Sequence, residues 1–318
     1  MPTVQALVTQ SYLSDIADAI RAKNGAVTTY TPSQMAAAIS AIPSGGGDSS
    51  YFKRSVLDAI TGAVSRYDGV LPTFTDIVSI NAYGMDHAYS NRVDVTGTPT
   101  FPSLTTVGSY GLSEAFINCS AITGVVSFPV LTTVDAHAFD SAFNGSAITG
   151  VSFPSLETTV SDSSFEYAFE NCTSITGLVS FPALKTISNR GFYGAFRVCT
   201  AITGISFPEL TTLGQYALYN AFFRCTSISG AVTFPKLATT AKLSMGYIFR
   251  NCSNITKIYF PALTSFTSDT FNQSSFEGCS SLTEFHFPST MQSAIENSNN
   301  YSTLWGRGSG NATIYYDL

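Results

Sequence analysis

The dipeptide Phe-Pro recurs along this chain at a nearly constant interval, and that interval restricts what the chain can fold into. Successive pairs are separated by 27, 25, 28, 26, 27, 26 and 27 residues. Self-similarity at a period of roughly 20–50 residues is typical of repeat architectures, whose units contact only their neighbours. A unit this short cannot bury its own apolar side chains, so the units must stack around a shared core. The pairs begin at Phe101, Phe128, Phe153, Phe181, Phe207, Phe234, Phe260 and Phe287.

Each unit divides into two parts at its Phe-Pro pair. The part before the pair, as in "ITGVSFP", alternates apolar and polar residues, which is typical of a half-buried strand that the proline ends. The part after it, as in "ALKTISNRGFYGAFRVC" (183–199), spaces its apolar residues three to five apart, which predicts a turn and a short helix. The sequence therefore predicts an α+β repeat solenoid with a parallel β-sheet along one side.

Six cysteines occupy one position of the repeat, and Gly145 is taken as the replacement in the unit that lacks one. No Cys-x-x-Cys pair and no histidine at ligand spacing accompanies them, so we expect neither a metal site nor a cofactor. We predict a column of buried, reduced thiols, with oxidation inside the column as the alternative. The cysteines are Cys119, Cys172, Cys199, Cys225, Cys252 and Cys279.

Nothing in the sequence indicates catalysis. The three histidines, His87, His137 and His286, lie in different units without a Ser or Cys nucleophile at a recurring offset. No glycine-rich phosphate-binding motif occurs either. We therefore expect a binding protein and not an enzyme.

Composition excludes several classes of partner. Charged residues make up 11% of the chain and the net charge is −6, without a cluster of Lys or Arg, so nucleic acid is not an expected partner. No apolar run of about 18 residues is present, which argues against membrane insertion. The first residues lack the pattern of a signal peptide, so we expect synthesis in a cytoplasm without Sec-type export.

Composition also divides the chain. Residues 44–50 fall in a Gly/Ser-rich stretch that predicts a flexible linker. Before it, residues 1–43 carry two amphipathic helical patterns and too few residues for an independent core, so we expect an attachment module that docks on another protein. Residues 51–287 are assigned to the solenoid with its N-terminal cap, and residues 288–318 to a C-terminal cap.

The outward column of the predicted sheet is where recognition is expected. A second outward column, two residues before the first one in each strand, is expected to be mainly glycine until Lys257 and Glu284. Large and charged side chains among small ones are plausible hot spots, so we predict a ligand-binding patch at the end of the array. The alternative is that terminal units merely drift from the consensus. The outward column is Ser127, Ser152, Ser180, Ser206, Thr233, Tyr259 and His286; the predicted patch is Lys257, Tyr259, Glu284, His286, Trp305 and Arg307.

The pattern Cys-x-x-(Ile/Leu)-Thr, followed by Phe-Pro and then Ala-Phe-x-x-Cys, resembles the BspA-type leucine-rich repeats over residues 71–287. The phrase "YLSDIADAIRAKNGAVTTYTPSQMAAAISAI" (12–42) resembles an N-terminal segment of phage and prophage tail proteins of gut Firmicutes. Together these resemblances imply a phage tail protein of the virion that recognises the host surface. Residues 1–43 would bind another tail or baseplate protein, and the solenoid a bacterial surface glycan or protein.

Two points stay open at this stage. A bacterial surface adhesin or a protein-interaction scaffold carrying the same repeats is the alternative function. The oligomeric state is also open, since receptor-binding tail proteins are often trimers but no sustained heptad pattern here specifies a homo-oligomer of three chains.

Overall fold

The computed structural model describes residues 71, 74–75, 77–159, 161–272, 274–299, 301 and 312–318. Leu71–Leu318 forms one compact unit. The predicted attachment module, the linker and the start of the N-terminal cap lie outside the described residues, as do Trp305 and Arg307. The domain boundaries at residues 43, 50 and 287 stay predictions.

The predicted parallel solenoid is confirmed, with about nine turns. Its strands form two rows, and all the strand pairs are parallel. Strands of the first row end just before the Phe-Pro pairs, and the last strand of the chain closes the row. The first row consists of β3 (Val125–Ser127), β5 (Gly150–Ser152), β7 (Gly177–Ser180), β9 (Ile202–Ser206), β11 (Ser229–Thr233), β12 (Asn254–Tyr259), β13 (Glu284–His286) and β14 (Thr313–Tyr315). The second row consists of β1 (Ser79–Ile80), β2 (Thr106–Val107), β4 (Thr133–Val134), β6 (Thr158–Thr159), β8 (Thr186–Ile187) and β10 (Thr212–Leu213).

The core is built from stacked aromatic rings. The Phe of each Phe-Pro pair stacks on its counterpart in the next coil from Phe101 to Phe287, with centroids 4.9–6.4 Å apart. A second column runs from Tyr89 to Phe276 at 5.0–6.3 Å. Stacked and edge-on pairs each add about 0.5–1.5 kcal/mol to the free energy of burial, so the recurring Phe couples every coil to its neighbours.

The segment that returns from the second strand row to the first is where the sequence prediction is wrong. A short helix in each unit was expected, but the described residues contain one α-helix, α1 (Gln292–Glu296), which follows a 3₁₀ turn at Ser289–Met291. Among the described residues, no helix has the length and the apolar character that crossing a bilayer requires.

Each return segment is instead a ladder of overlapping turns. Within one coil the N–H of Gly111 donates to the carbonyl of Gly108 at 2.8 Å, closing a turn, while the N–H of Leu112 donates to Ala138 of the next coil at 2.8 Å. Alternate amides thus bond within and between coils. An α-helix is about 10–12 Å across and would spread the coils beyond the ~4.8 Å strand spacing, whereas stacked turns keep that spacing on both sides.

Candidate functional site

The predicted outward column exists. The register pairs Ser127 with Ser152 and Ser180 with Ser206 in the coils of small residues. Further along, Tyr259 pairs with His286. These side chains therefore lie in a row along one face of the first strand row, where a partner molecule would meet them.

The column two residues earlier is not mainly glycine, so that expectation is wrong. The register aligns Val125 with Gly150 and Leu178 with Gly204. Val125 is 53% exposed and Leu178 is 63% exposed. A Cβ on either glycine would lie 3.3 Å from the facing side chain, so the glycines leave room for these apolar groups.

Four of the six predicted patch residues come together at the C-terminal end of this face. Lys257 Nζ lies 2.8 Å from Glu284 Oε2, and the same oxygen lies 3.0 Å from His286 Nε2. The ring of Tyr259 stacks on His286 with centroids 4.3 Å apart. The adjacent registers of β12 and β13 hold all four side chains on one surface.

Sequence reasoning missed two residues of the patch, both from the chain end. Strand β14 pairs with β13, and its Tyr315 stacks on the opposite face of the His286 ring at 4.8 Å. Asp317 Oδ1 lies 2.9 Å from His286 Nδ1. The sequence assigns this end to a C-terminal cap but does not indicate which coil residue would face its side chains.

The patch is a compact polar and aromatic network. His286 is 8% exposed because two rings cover it, whereas Tyr315 is 40% exposed. The hydrogen bond to Glu284 raises the pKa of Lys257, and the hydrogen bonds from Lys257 and His286 lower the pKa of Glu284. Glu284 faces one ring nitrogen of His286, and Asp317 faces the other. We define the patch as Lys257, Tyr259, Glu284, His286, Tyr315 and Asp317.

The cysteine column forms part of the core. All six thiols are free and buried, as predicted. Each donates to a main-chain carbonyl of the preceding coil, as Cys199 does to Phe169 at 3.0 Å. The residue replacing cysteine is Ser146, not Gly145, because Ser146 makes the cysteine's main-chain contact to Phe143. Gly145 occupies the preceding left-handed position, with φ +70°.

The other two histidines lie far along the chain from the patch and contact acidic residues. His87 Nε2 lies 2.9 Å from Glu114 Oε2, and His137 Nδ1 lies 3.3 Å from Asp140 Oδ2. Among the described residues, no group of three or more His, Cys, Asp and Glu side chains has the arrangement of a metal site. The chemistry that the patch supports is therefore hydrogen bonding, ion pairing and aromatic contact with a ligand.

The chain is similar to a known repeat family. The sequence profile of the BspA type leucine rich repeat region matches residues 100–168 and 166–304, in six copies. The crystal structure of the T. pallidum leucine rich repeat protein TpLRR is similar at 19% identity and a TM-score of 0.44, over 74% of this chain and 91% of that chain. No curated protein sequence matches significantly.

Proposed function

This chain belongs to the BspA-type leucine-rich repeat family, and we propose that it is a recognition protein that binds its partner through the exposed face of the first strand row. A leucine-rich repeat solenoid is suited to protein interaction or adhesion. Such arrays offer one continuous surface along their strands. The function is binding, and no catalytic step is part of the proposal.

One observation carries the assignment of the binding surface. The outward column next to the Phe-Pro pairs has small hydroxyl side chains over most of its length and then gains the stack of Tyr259, His286 and Tyr315 at one end. Tyrosine and charged side chains on a firm support are enriched at binding hot spots. Stacking holds these rings in place, so little side-chain entropy is lost when a ligand contacts them.

The biological setting that we propose is a phage or prophage tail. Support comes from the sequence of residues 12–42 and from its position ahead of the repeats, which together resemble tail proteins of gut Firmicutes. In this proposal residues 1–43 attach to another tail or baseplate protein. The patch then contacts a glycan or protein on the bacterial surface. A bacterial adhesin or interaction scaffold is the second candidate, favoured by the suitability of the repeats for adhesion.

Binding of the purified full-length protein to host bacteria tests the surface. We expect Tyr315→Ala to weaken binding about tenfold, since a hot-spot residue contributes at least ~1.4 kcal/mol. Tyr83→Ala is the matched control, because Tyr83 is 42% exposed, against 40% for Tyr315, and also stacks on a neighbouring ring, Tyr110. Equal binding by Tyr315→Ala and the wild type would contradict the patch assignment.

A second experiment tests the setting independently of the patch. Phage particles induced from the bacterium that encodes this chain are purified, and their polypeptides are identified by mass spectrometry. The tail proposal expects this polypeptide in the particle. Its presence on the bacterial surface and absence from purified particles would support the adhesin instead.

A further inference from the structure

The outer surface of the turn ladders, which we call the turn face, includes six consecutive coils whose charges fall in two halves. These coils lie between one that carries Asp86 and Arg92 and one that carries Asp269 and Glu277. In the turn segments 108–119, 135–146 and 161–172, every charged Asp, Glu, Lys or Arg is acidic. In the segments 188–199, 214–225 and 241–252, every one is basic. The acidic residues are Glu114, Asp135, Asp140, Asp162, Glu166 and Glu170; the basic ones are Arg190, Arg197, Arg224, Lys242 and Arg250.

The structure places these segments next to one another in order along the solenoid. Hydrogen bonds join each turn segment to the next, as from Glu114 to Asp140 and from Tyr167 to Tyr193, both at 2.8 Å. Three acidic coils are thus followed directly by three basic coils. At ~4.8 Å per coil each half extends about 15 Å, which exceeds the Debye length of about 8 Å at physiological salt, so distant parts of the two halves do not neutralise each other.

Ion pairs within the chain neutralise the outer end of the basic half, where Arg250 bonds to Glu277 at 2.9 Å, and the boundary between the halves. Arg190 bonds to Glu166 there, and Arg197 bonds to Glu170. Away from the boundary, no Lys or Arg of the described coils forms an ion pair with Asp135 or Asp162. Glu114 and Asp140 also form no ion pair with Lys or Arg there, and their partners are His87 and His137. Arg224 and Lys242 likewise form no ion pair with a described acidic residue.

The order of charges is self-complementary under a two-fold axis. An axis through the boundary and perpendicular to the solenoid reverses the coil order of a second copy, so that its basic half faces the acidic half of the first. An interface of this kind uses the same surface on both subunits. A polyanion such as nucleic acid would meet repulsion over the acidic half, which leaves a second copy as the partner that fits both halves.

Half-buried aromatic rings lie at the boundary, which is the centre of this arrangement. The rings of Tyr167, Tyr193 and Tyr219 follow one another at 5.5 and 5.0 Å. The Arg190 guanidinium lies 4.6 Å from the Tyr193 ring centroid. Tyrosine and arginine are enriched at the centres of protein interfaces. We infer that two copies of this protein pair antiparallel through their turn faces, which leaves the strand face of each copy free to bind.

The association of the full-length chain tests this inference. We expect sedimentation equilibrium to show self-association into pairs of the 33.8 kDa chain. The affinity should fall when salt is raised from about 0.05 M to about 0.5 M, because screening weakens the contact between the opposite halves.

Charge reversal identifies the surface. The variant Arg224→Glu/Lys242→Glu lowers the formal charge of the basic half from +5 to +1, and Glu114→Lys/Asp162→Lys changes that of the acidic half from −6 to −2. We expect each to self-associate at least about tenfold more weakly than the wild type, since each change acts twice in a symmetric pair. Mixed in equal amounts, the two variants should associate with each other more strongly than either does with itself, because the unchanged acidic half of one then faces the unchanged basic half of the other.

Lys185→Glu/Lys236→Glu is the control, because it makes the same change in charge at the corners after the Phe-Pro pairs, outside the turn face. It should associate like the wild type. A wild-type protein that is monomeric at all concentrations would overturn the inference. So would undiminished association of both reversed variants, which would place the contact elsewhere in the chain, or failure of the mixture to associate.

Discussion

The thiol of Cys199 donates a hydrogen bond of 3.0 Å to the carbonyl oxygen of Phe169 in the preceding coil, and that oxygen also accepts the N–H of Cys172 at 3.2 Å. The same double contact recurs at the carbonyls of Phe196, Phe222 and Phe249. The thiol column therefore links main chains of adjacent coils inside the core, in addition to filling space. An ionised thiolate could not donate this bond.

Alkaline pH should destabilise the fold through the thiol column. Burial raises the pKa of Cys119 from 9.0 to about 11 and the pKa values of Cys172 and Cys279 to about 12. As the pH rises, the unfolded chain loses its thiol protons at a lower pH than the folded chain does. The contribution of the thiols to the free energy of unfolding is therefore fully present below pH 9 and is lost as the pH rises from about 9 towards 12. The slope is at most about 1.4 kcal/mol per pH unit for each thiol.

Urea unfolding at a series of pH values measures this slope. Cys172→Ser is the matched control, because Ser146 shows that the column accepts serine and a serine hydroxyl does not titrate in this range. The variant should lose stability less steeply above pH 9 than the wild type. Identical slopes would show that other groups, such as Tyr167, whose pKa is raised to about 12 by burial, dominate the alkaline transition.

Truncation of a Phe-Pro phenylalanine to alanine should lower the free energy of unfolding more than its replacement by leucine. Phe181 is fully buried and stacks between Phe153 and Phe207 at 5.5 and 5.7 Å. We expect Phe181→Ala to lower the free energy of unfolding by about 3–5 kcal/mol. Phe181→Leu, which keeps most of the volume, should cost less. Thermal or urea unfolding measures both losses, and an unchanged free energy of unfolding in Phe181→Leu would argue against the contribution of stacking.

Val198 lies in the left-handed region with φ +64°, where a β-branched side chain is strained. The equivalent positions of other coils carry Asn118, Asn171 and Asn251, with φ +56°, +59° and +63°. Val198→Asn should therefore stabilise the protein by about 1 kcal/mol. The reverse change, Asn171→Val, should destabilise it by a similar amount. Chemical denaturation of both variants measures the two effects, and opposite signs are required.

Two glycines make room for tyrosine rings on the turn face. Comparing them separates the cost of a left-handed backbone from the cost of a contact with the ring. A Cβ on Gly194 would lie 2.5 Å from the Tyr167 ring, and Gly194 also has φ +61°. A Cβ on Gly246 would lie 2.7 Å from the Tyr219 ring, without a left-handed φ. Gly194→Ala should thus destabilise the protein more than Gly246→Ala, by about 1 kcal/mol for the backbone term.

Removal of the ring isolates the contact. In a Tyr167→Ala background, Gly194→Ala should lose less stability than in the wild type, because only the backbone cost remains. Additive effects of the two substitutions would show that the ring moves aside without cost.

Local patterns were sufficient to predict the strands and the thiol column. The alternation before each Phe-Pro pair determines which side chain of β12 or β13 points inward, because the side chains of a strand alternate between its two faces. Strand pairing in a stacked array follows from the period, so Tyr259 and His286 were correctly placed side by side. Every position that repeats with the period had a predictable neighbour, namely its equivalent in the next coil.

Tertiary structure decided what the period does not specify. Spacings of three to five residues fit an α-helix and also a turn ladder with a left-handed residue at every fourth position, as at Tyr110, Glu114 and Asn118. Only the distance between coils, set by strand pairing, selects the ladder. The contacts of Tyr315 and Asp317 with His286 arise from pairing of the chain end with β13. Because that end lies outside the repeat, no equivalent position existed from which its neighbours could be inferred.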